Sequence, residues 1–188
     1  MSQNPEHLVE QVEKTVKNPG RPPLDKWHPD LSGDMDLRIN RDGQWIHKGE
    51  PLGREAIVRL FSTILRREED NQYYLVTPVE KWRIQVEDAP LLAHSLEKEG
   101  SGEQQILRLT TNMGETLEVG KEHPLEVGQY EESGQPRPVV YVRHGVEARL
   151  TTSAYYDLAE HVVEQEVDGN TVLGVFSNKV FYKIGQGG

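Results

Sequence analysis

The residues best suited to chemistry gather ahead of and along one short segment, His28-Pro29-Asp30 followed by Gly33-Asp34-Met35-Asp36-Leu37-Arg38. Carboxylates two apart on a strand project from the same face, so Asp34 and Asp36 could share a divalent cation through oxygen ligands. His28 joins them only if its segment folds back. A solvated loop and strand edge is the plainer alternative, because carboxylates are mostly exposed. The run also departs from the Asp-x-Asp-x-Thr pattern of haloacid-dehalogenase-type phosphatases, since Arg38 stands at the Thr position.

A second group is basic: Arg54, Arg59, Arg66 and Arg67 with Lys81 and Arg83. Arg54 stands near a predicted helix start, where backbone N–H groups and the dipole favour a carboxylate or phosphate. Pairing with Glu50, Glu55 or Glu80 is the competing expectation. A third group, Glu87-Asp88-Ala89-Pro90 with His94, has the types for acid–base work but no nucleophile at a recognised spacing. His47 and His144 stand alone as groups that titrate near neutrality. No phosphate loop, dinucleotide fingerprint, serine elbow or His-Glu-x-x-His signature occurs.

The elements that must hold these residues form a pattern that occurs twice. One copy runs over Asp36–Val86 with its turn at Arg41-Asp42-Gly43, the other over Val140–Ile184 with its turn at Arg143-His144-Gly145. Each reads as strand, Gly turn, strand, amphipathic helix and closing hairpin. Adding 98 to Ile57, Leu60, Phe61, Ile64 and Leu65 gives Tyr155, Leu158, Ala159, Val162 and Val163, so the apolar stripes coincide.

The first helix of that pattern is predicted to begin near Pro51-Leu52-Gly53 and to end by Arg66-Arg67, where cations suit the dipole. Thr77 and Glu80 have capping-box spacing, but Pro78 and the β-rich flanks favour a turn. Ahead of the first copy, Asn4-Pro5 predicts a capped helix with a stripe of Leu8, Val9, Val12 and Val16, stopped by Asn18-Pro19-Gly20. Between the copies, strand signals at 91–93, 106–109 and 116–119 predict a β-meander extending the first sheet, and the polar, Gly- and Pro-containing stretch 121–138 predicts a linker.

The resulting expectation is an α+β fold of two repeated units, each an antiparallel sheet with one amphipathic helix, the first extended by the meander. Its parts are a helix and Pro-rich arm (1–32), a first unit (33–120), a linker (121–138) and a second unit (139–188). Units this small bury too little apolar surface to stand alone, so they are expected to pack together.

Composition narrows the function. With 21 Lys+Arg against 31 Asp+Glu the net charge is -10, which opposes a nucleic-acid partner. The absence of Cys removes disulfides, thiolate zinc sites and a cysteine nucleophile. A polar N-terminus and the lack of any apolar run near 20 residues predict a soluble, cytoplasmic protein with no membrane partner.

Several segments together resemble a small bacterial family catalogued as domain of unknown function 1285. They are Gly33 to Ile39, Asp42-Gly43-Gln44-Trp45, Pro51-Leu52-Gly53-Arg54, Leu60-Phe61-Ser62, Tyr74 to Lys81, Val86 to Pro90, Thr111-Asn112 and Val142 to Ala148. The resemblance covers most of the chain from Trp27 onward. It implies a two-part α+β fold with repeated motifs and supplies no reaction, cofactor or site. One departure is Phe176-Ser177-Asn178-Lys179, where relatives are expected to carry a Gly-rich turn; Asn tolerates the same left-handed backbone.

The leading expectation is therefore a non-enzymatic module, without cofactor, that binds a small ligand or another protein in a regulatory or signalling role. Its candidate ligand residues are Asp34, Asp36, Arg38, Arg54, Thr77, Glu80 and Lys81. The alternative is a metal-assisted hydrolase or phosphate-transfer enzyme, with Asp34, Asp36 and His28 at the metal, His28 or His47 moving protons and Arg54 holding an anion. A third reading is a structural module that forms a homodimer through exposed strands.

Overall fold

The structure is a computed structural model that describes residues 4–15 and 21–186. Strands dominate the described residues, in three sheets with three short α-helices, so the fold is α+β. The chain divides into two compact units, Met1–Pro90 with His144–Val146, and Leu91–Arg143 with Glu147–Gly188. Among the described residues no helix is long and apolar enough to cross a membrane.

The first unit opens with α1 (Pro5–Thr15), where the Asn4 side chain accepts a hydrogen bond from the Glu6 amide at 3.1 Å. Leu8 and Val12 of the expected stripe are fully buried; Val16 and the Asn18-Pro19-Gly20 stop lie outside the described residues. The Pro-rich arm forms a 3-10 turn at Leu24–Lys26 that buries Leu24 and Trp27.

Then follow β1 (Leu31–Ile39), β2 (Trp45–His47), β3 (Glu50–Pro51), α2 (Glu55–Thr63), β4 (Leu65–Arg67), β5 (Tyr73–Val76) and β6 (Lys81–Val86). Along β1 burial alternates strictly at its second half, with Met35, Leu37 and Ile39 inward and Asp34, Asp36 and Arg38 outward. That is the same-face placement expected of Asp34 and Asp36, and Arg38 shares the face. The hairpin to β2 turns at Gly43 (φ 81°), and the Asn40 Oδ1 accepts from the amides of Asp42 and Gln44.

Two expectations are corrected here. The helix begins at Glu55, because Pro51 is claimed by β3, and it ends at Thr63, so Arg66 and Arg67 belong to β4 rather than to a helix terminus. Leu65 pairs with Leu75 and is buried, and this strand pairing takes the chain out of the helix. The sheet, in order β3-β2-β1-β6-β5-β4, is mixed rather than antiparallel, since β1 and β6 run parallel. The α2 crossover reverses the chain, and the three-strand meander after it delivers β6 beside β1 in the same direction. Leu37, Ile39, Phe61, Ile64, Leu65, Leu75 and Ile84 fill the core, with the Trp45 and Phe61 rings 6.1 Å apart.

The second unit comprises β7 (Leu91–Glu99), a 3-10 turn (Gly102–Gln104), β8 (Ile106–Thr111), β9 (Thr116–Glu118), β10 (Leu125–Gln129), β11 (Pro136–Arg143), β12 (Val146–Leu150), α3 (Thr152–Ala159), β13 (Val163–Val167), β14 (Asn170–Ser177) and β15 (Val180–Gln186). One sheet has the order β10-β11-β12-β7-β8-β9, and β13-β14-β15 form a separate antiparallel meander.

The meander β7-β8-β9 thus belongs to this unit and does not extend the first sheet, because Ala148, Arg149 and Leu150 pair in parallel with Leu91, Leu92 and Ala93. The stretch 121–138 expected as a linker holds β10 and the start of β11, joined in register from Leu125↔Val140 to Gln129↔Pro136.

The order strand, turn, strand, helix, three-strand meander occurs in both units. The closure differs, since β6 returns to β1 whereas β15 never joins β12. Nor do the stripes coincide at an offset of 98. Phe61 and Leu65 are buried, but Ala159 and Val163 are exposed, because Val163 opens the outermost strand of its sheet.

Candidate functional site

On one face of the first sheet, Asp34, Arg83, Tyr74 and Arg66 lie in a row across four strands, each paired in register with the next. Arg83 grips Asp34 through Nε and, at 3.0 Å, through Nη2. That guanidinium holds the Asp34 carboxyl below its ordinary value, and the Asp34 carboxylate raises Arg83 in turn. Tyr74 donates to Asp70 at 2.5 Å, which raises the phenol, while that bond and the Gln72 amide lower the Asp70 carboxyl.

The Lys81 ammonium lies 4.7 Å from the Tyr74 ring centroid and 2.9 Å from Glu68 Oε1. Arg66 holds the other Glu68 oxygen at 2.6 Å and also donates to the carbonyls of Leu24 (3.1 Å) and Trp27 (2.9 Å). Burial alone would raise Glu68, but the bonds from Lys81 and Arg66 outweigh it and hold the carboxyl below its ordinary range. The network's product is structural: it fastens the Pro-rich arm to the sheet. Each carboxylate in it has a donor and is held below its ordinary range.

Thr77 and Glu80 form a second group, at the β5–β6 turn. The turn expectation holds, with Thr77 N–H donating to Glu80 O and Thr77 Oγ1 accepting from the Glu80 amide, both at 2.9 Å. Gln11 of α1 then accepts from Thr77 Oγ1 and donates to Glu80 Oε2, each at 2.6 Å, with His7 Nε2 at 3.7 Å from that carboxylate. These side chains latch α1 to the turn.

The remaining candidates lie apart. Arg38 pairs with Glu87 at 3.5 Å and Arg54 with Glu6 at 3.7 Å, both pairs well exposed. Asp36 and Arg38 line a small cleft of about 280 Å³ with Met35, Leu37, Ile46 and Gln85. All seven candidate residues are therefore in the first unit, but only Thr77 with Glu80 and Asp36 with Arg38 are brought together, while Asp34 and Lys81 are held by different partners, Arg83 and Glu68.

The residues of the metal alternative have other partners. Among the described residues no three His, Asp or Glu side chains are grouped to hold an ion. Arg83 occupies Asp34, and His28 Nε2 is 2.7 Å from the Asp25 carbonyl. In the third group, Glu87 accepts from the Arg41 amide at 2.8 Å, and His94 lies 2.8 Å from Ser95 Oγ.

The second unit holds a larger cleft, about 450 Å³, lined by Tyr130, Pro136, Pro138, Arg149, Tyr155 and Tyr156 among others. The β10–β11 loop, closed by Tyr130 N–H to Gln135 O at 2.9 Å, supplies Tyr130. Helix α3, capped by Thr151 accepting from the Ala154 amide, supplies the tyrosine pair. Sequence reasoning missed this cleft. In the sequence Tyr155 reads as a stripe position and residues 121–138 as a linker, and the one available signal is aromatic side chains beside prolines in polar surroundings.

Residues 22–89 match the N-terminal domain of DUF1285, a domain of unknown function, and residues 90–184 match the C-terminal domain of the same family. The chain belongs to the DUF1285 family. The junction between the two DUF1285 domains, at residues 89 and 90, falls within one residue of the boundary between the units at Pro90 and Leu91. A crystal structure of a DUF1285 protein from Silicibacter pomeroyi DSS-3 is similar at 37% identity and a TM-score of 0.85, covering 99% of this chain and 97% of that one. A second, from Shewanella baltica OS155, is 28% identical with a TM-score of 0.52, covering 66% of this chain and 91% of that one. No curated protein matches.

Proposed function

We propose that this DUF1285 protein is a non-enzymatic binding module whose ligand site is the tyrosine-lined cleft of its second unit. The observation that carries the reading is the convergence of Tyr130, Tyr155 and Tyr156 with Arg149, Pro136 and Pro138 around about 450 Å³. Small-molecule sites have this size, and the lining sets aromatic faces beside the polar groups of Gln135, Arg149 and Thr152. Tyrosine offers a flat apolar face and a hydroxyl, so the ligand class is a planar or apolar body bearing a hydrogen-bonding group. The saturated ion pairs of the first unit support a scaffolding rather than a proton-transfer role there. Ligand occupancy read by a partner protein, in the cytoplasm, gives the module its regulatory role, and the net charge of -10 argues for a partner other than nucleic acid.

A second reading places a small zwitterionic ligand at the Asp36 and Arg38 cleft, since both charges line it. We also read the shared element order of the two units as one duplicated motif whose copies close their sheets differently.

The test is a thermal-shift screen of small metabolites on the wild type, on Tyr155→Ala with Tyr156→Ala, and on Asp36→Asn with Arg38→Gln. A ligand at about 100 times its Kd adds roughly 2.7 kcal/mol of stability. Stabilisation lost only in the tyrosine variant supports the main reading. Loss only in the Asp36 and Arg38 variant moves the site to the first unit, and hits unaffected by either remove both sites.

A further inference from the structure

We propose that β13 is a docking edge for an extended basic segment of another protein, which adds to the β13-β14-β15 meander as a fourth strand. The strand is outermost in that sheet, and all five of its residues, Val163-Glu164-Gln165-Glu166-Val167, are exposed. Its register with β14 is unbroken from Val163↔Gly174 to Val167↔Asn170. The two-residue turn between them, Asp168-Gly169, has φ of 52° and 81°, the backbone of a type I′ hairpin. Val167 and Asn170 therefore form the hydrogen-bonded pair that closes the hairpin, and alternation turns the main-chain groups of Val163, Gln165 and Val167 toward β14. Those of Glu164 and Glu166 point outward, as donors and acceptors for a further strand.

Glu164 and Glu166 charge this edge, and the other usual devices are missing from it. It contains no proline, no lysine and no bulge, all of which discourage strand addition. Val163 and Val167 remain 42% and 45% exposed, on the same face as the buried Val172 and Gly174 with which their row is shared. An added strand would continue that apolar face and cover both valines.

Charge selects the occupant. Antiparallel pairing of two copies about Gln165 sets Glu164 against Glu166 twice, and parallel pairing in register sets each Glu against itself. Like charges directly opposite are destabilising, and each chain carries a net charge of -10. A heterologous strand with Lys or Arg opposite both glutamates, and apolar residues opposite both valines, satisfies every position. The recognised pattern is apolar, basic, any, basic, apolar, the strand-addition mode in which main-chain bonds give affinity and alternate side chains give specificity.

The test uses the full chain and two fluorescent peptides with Val-Lys-Thr-Lys-Val and Val-Glu-Thr-Glu-Val cores, followed by anisotropy. The lysine peptide is expected to bind at least about tenfold more tightly, with the preference reversed in Glu164→Lys with Glu166→Lys. Glu166→Pro removes one outward N–H while leaving the β14 ladder, a substitution edge strands accept, and is expected to abolish binding. Carbon-13 carbonyl labels in the bound peptide should show a β-sheet infrared band. Equal binding of the two peptides, or failure of the charge swap to reverse the preference, overturns the proposal whether or not the proline variant folds. So does dimerisation in light scattering that Glu166→Pro removes, which would assign the edge to a second copy.

Discussion

Replacing Ser177 with alanine isolates one hydroxyl that joins the β13-β14-β15 meander to the larger sheet of the second unit. Ser177 is fully buried. Its Oγ donates to the Val119 carbonyl at 2.7 Å and accepts from the Leu107 amide at 2.9 Å. Alanine keeps the fold's shape and deletes only the oxygen. Val119 O retains a second donor, Asn178 Nδ2 at 2.9 Å, so its loss is partial. The Leu107 N–H is left facing a gap one oxygen wide, in a residue that is itself fully buried.

An orphaned buried donor costs about 1–3 kcal/mol, and a value near 2 kcal/mol lowers Tm by roughly 8–16 °C in a unit of this size. Urea unfolding followed by circular dichroism gives the stability, and hydrogen exchange at the Leu107 amide gives the location. Ser133→Ala is the control, because Ser133 bonds only the Gln135 amide in an exposed loop, and its cost should stay below about 0.5 kcal/mol. A Ser177→Ala cost no larger than the control's, or a Leu107 amide as protected as in the wild type, would refute the reasoning.

Gly145→Ala should destabilise the first unit by more than about 2 kcal/mol in the same assay, because φ is 77° and a Cβ would stand 2.8 Å from the Arg67 carbonyl oxygen. Lys179→Gly should raise the unfolding free energy by about 0.5 kcal/mol, and with it the urea midpoint, since Lys179 holds φ at 66° in the exposed β14–β15 turn and glycine relieves more strain than its extra unfolded-state entropy costs. Glu68 is held below its ordinary value of 4.5 by Lys81 and Arg66, so its contribution is full above that value and disappears as pH falls through the lowered one. Glu68→Gln should therefore flatten the acid limb of a stability profile below about pH 5. Magnesium or manganese should leave Tm unchanged in the wild type and in Asp34→Asn alike, because Arg83 already occupies that carboxylate.

Local features were legible in the sequence because short-range stereochemistry decides them. The alternation of Met35, Leu37 and Ile39 against Asp34, Asp36 and Arg38, the Asn4 cap, the Gly43 turn and the Thr77–Glu80 turn all follow from neighbouring residues. Asn178 belongs with them: it adopts φ of 52°, as expected of a residue replacing glycine in a tight turn, and its side chain also braces Val119.

Pairing was not legible, because both parallel joints, β1 with β6 and β12 with β7, depend on residues tens of positions apart. Leu65 extends the helical stripe of Phe61 and Ile64 as well as it fits a strand, and only Leu75 across the sheet decides. Pro136 and Pro138 resemble linker residues, yet Pro136 opens β11, where a strand needs no donor from it. For the site, residue types were informative and wiring was not: nothing nearby in sequence marks Glu68 and Asp70 as the acids that meet Lys81 and Tyr74.

That wiring bears on where binding is to be sought. The first unit uses its cations against its own acids, and Arg66 serves Glu68 and two carbonyls at once. In the second unit Arg108 is divided between Glu99 and Glu118, and Arg143 is buried against Glu115, where desolvation lowers it without removing its charge. Basic residues fastened in this way cannot neutralise the acid surplus elsewhere, and among the described residues no ion pair involves Glu164 or Glu166. Glu164 and Glu166 therefore keep their negative charge where ladder groups also remain open, so added salt should weaken a basic strand's attachment to β13 by screening. Binding of an uncharged planar ligand at Tyr155 and Tyr156 should be indifferent to salt. A single titration series at two ionic strengths thus separates the edge from the cleft, and a salt-sensitive cleft ligand would transfer the decisive contact from the tyrosine faces to Arg149.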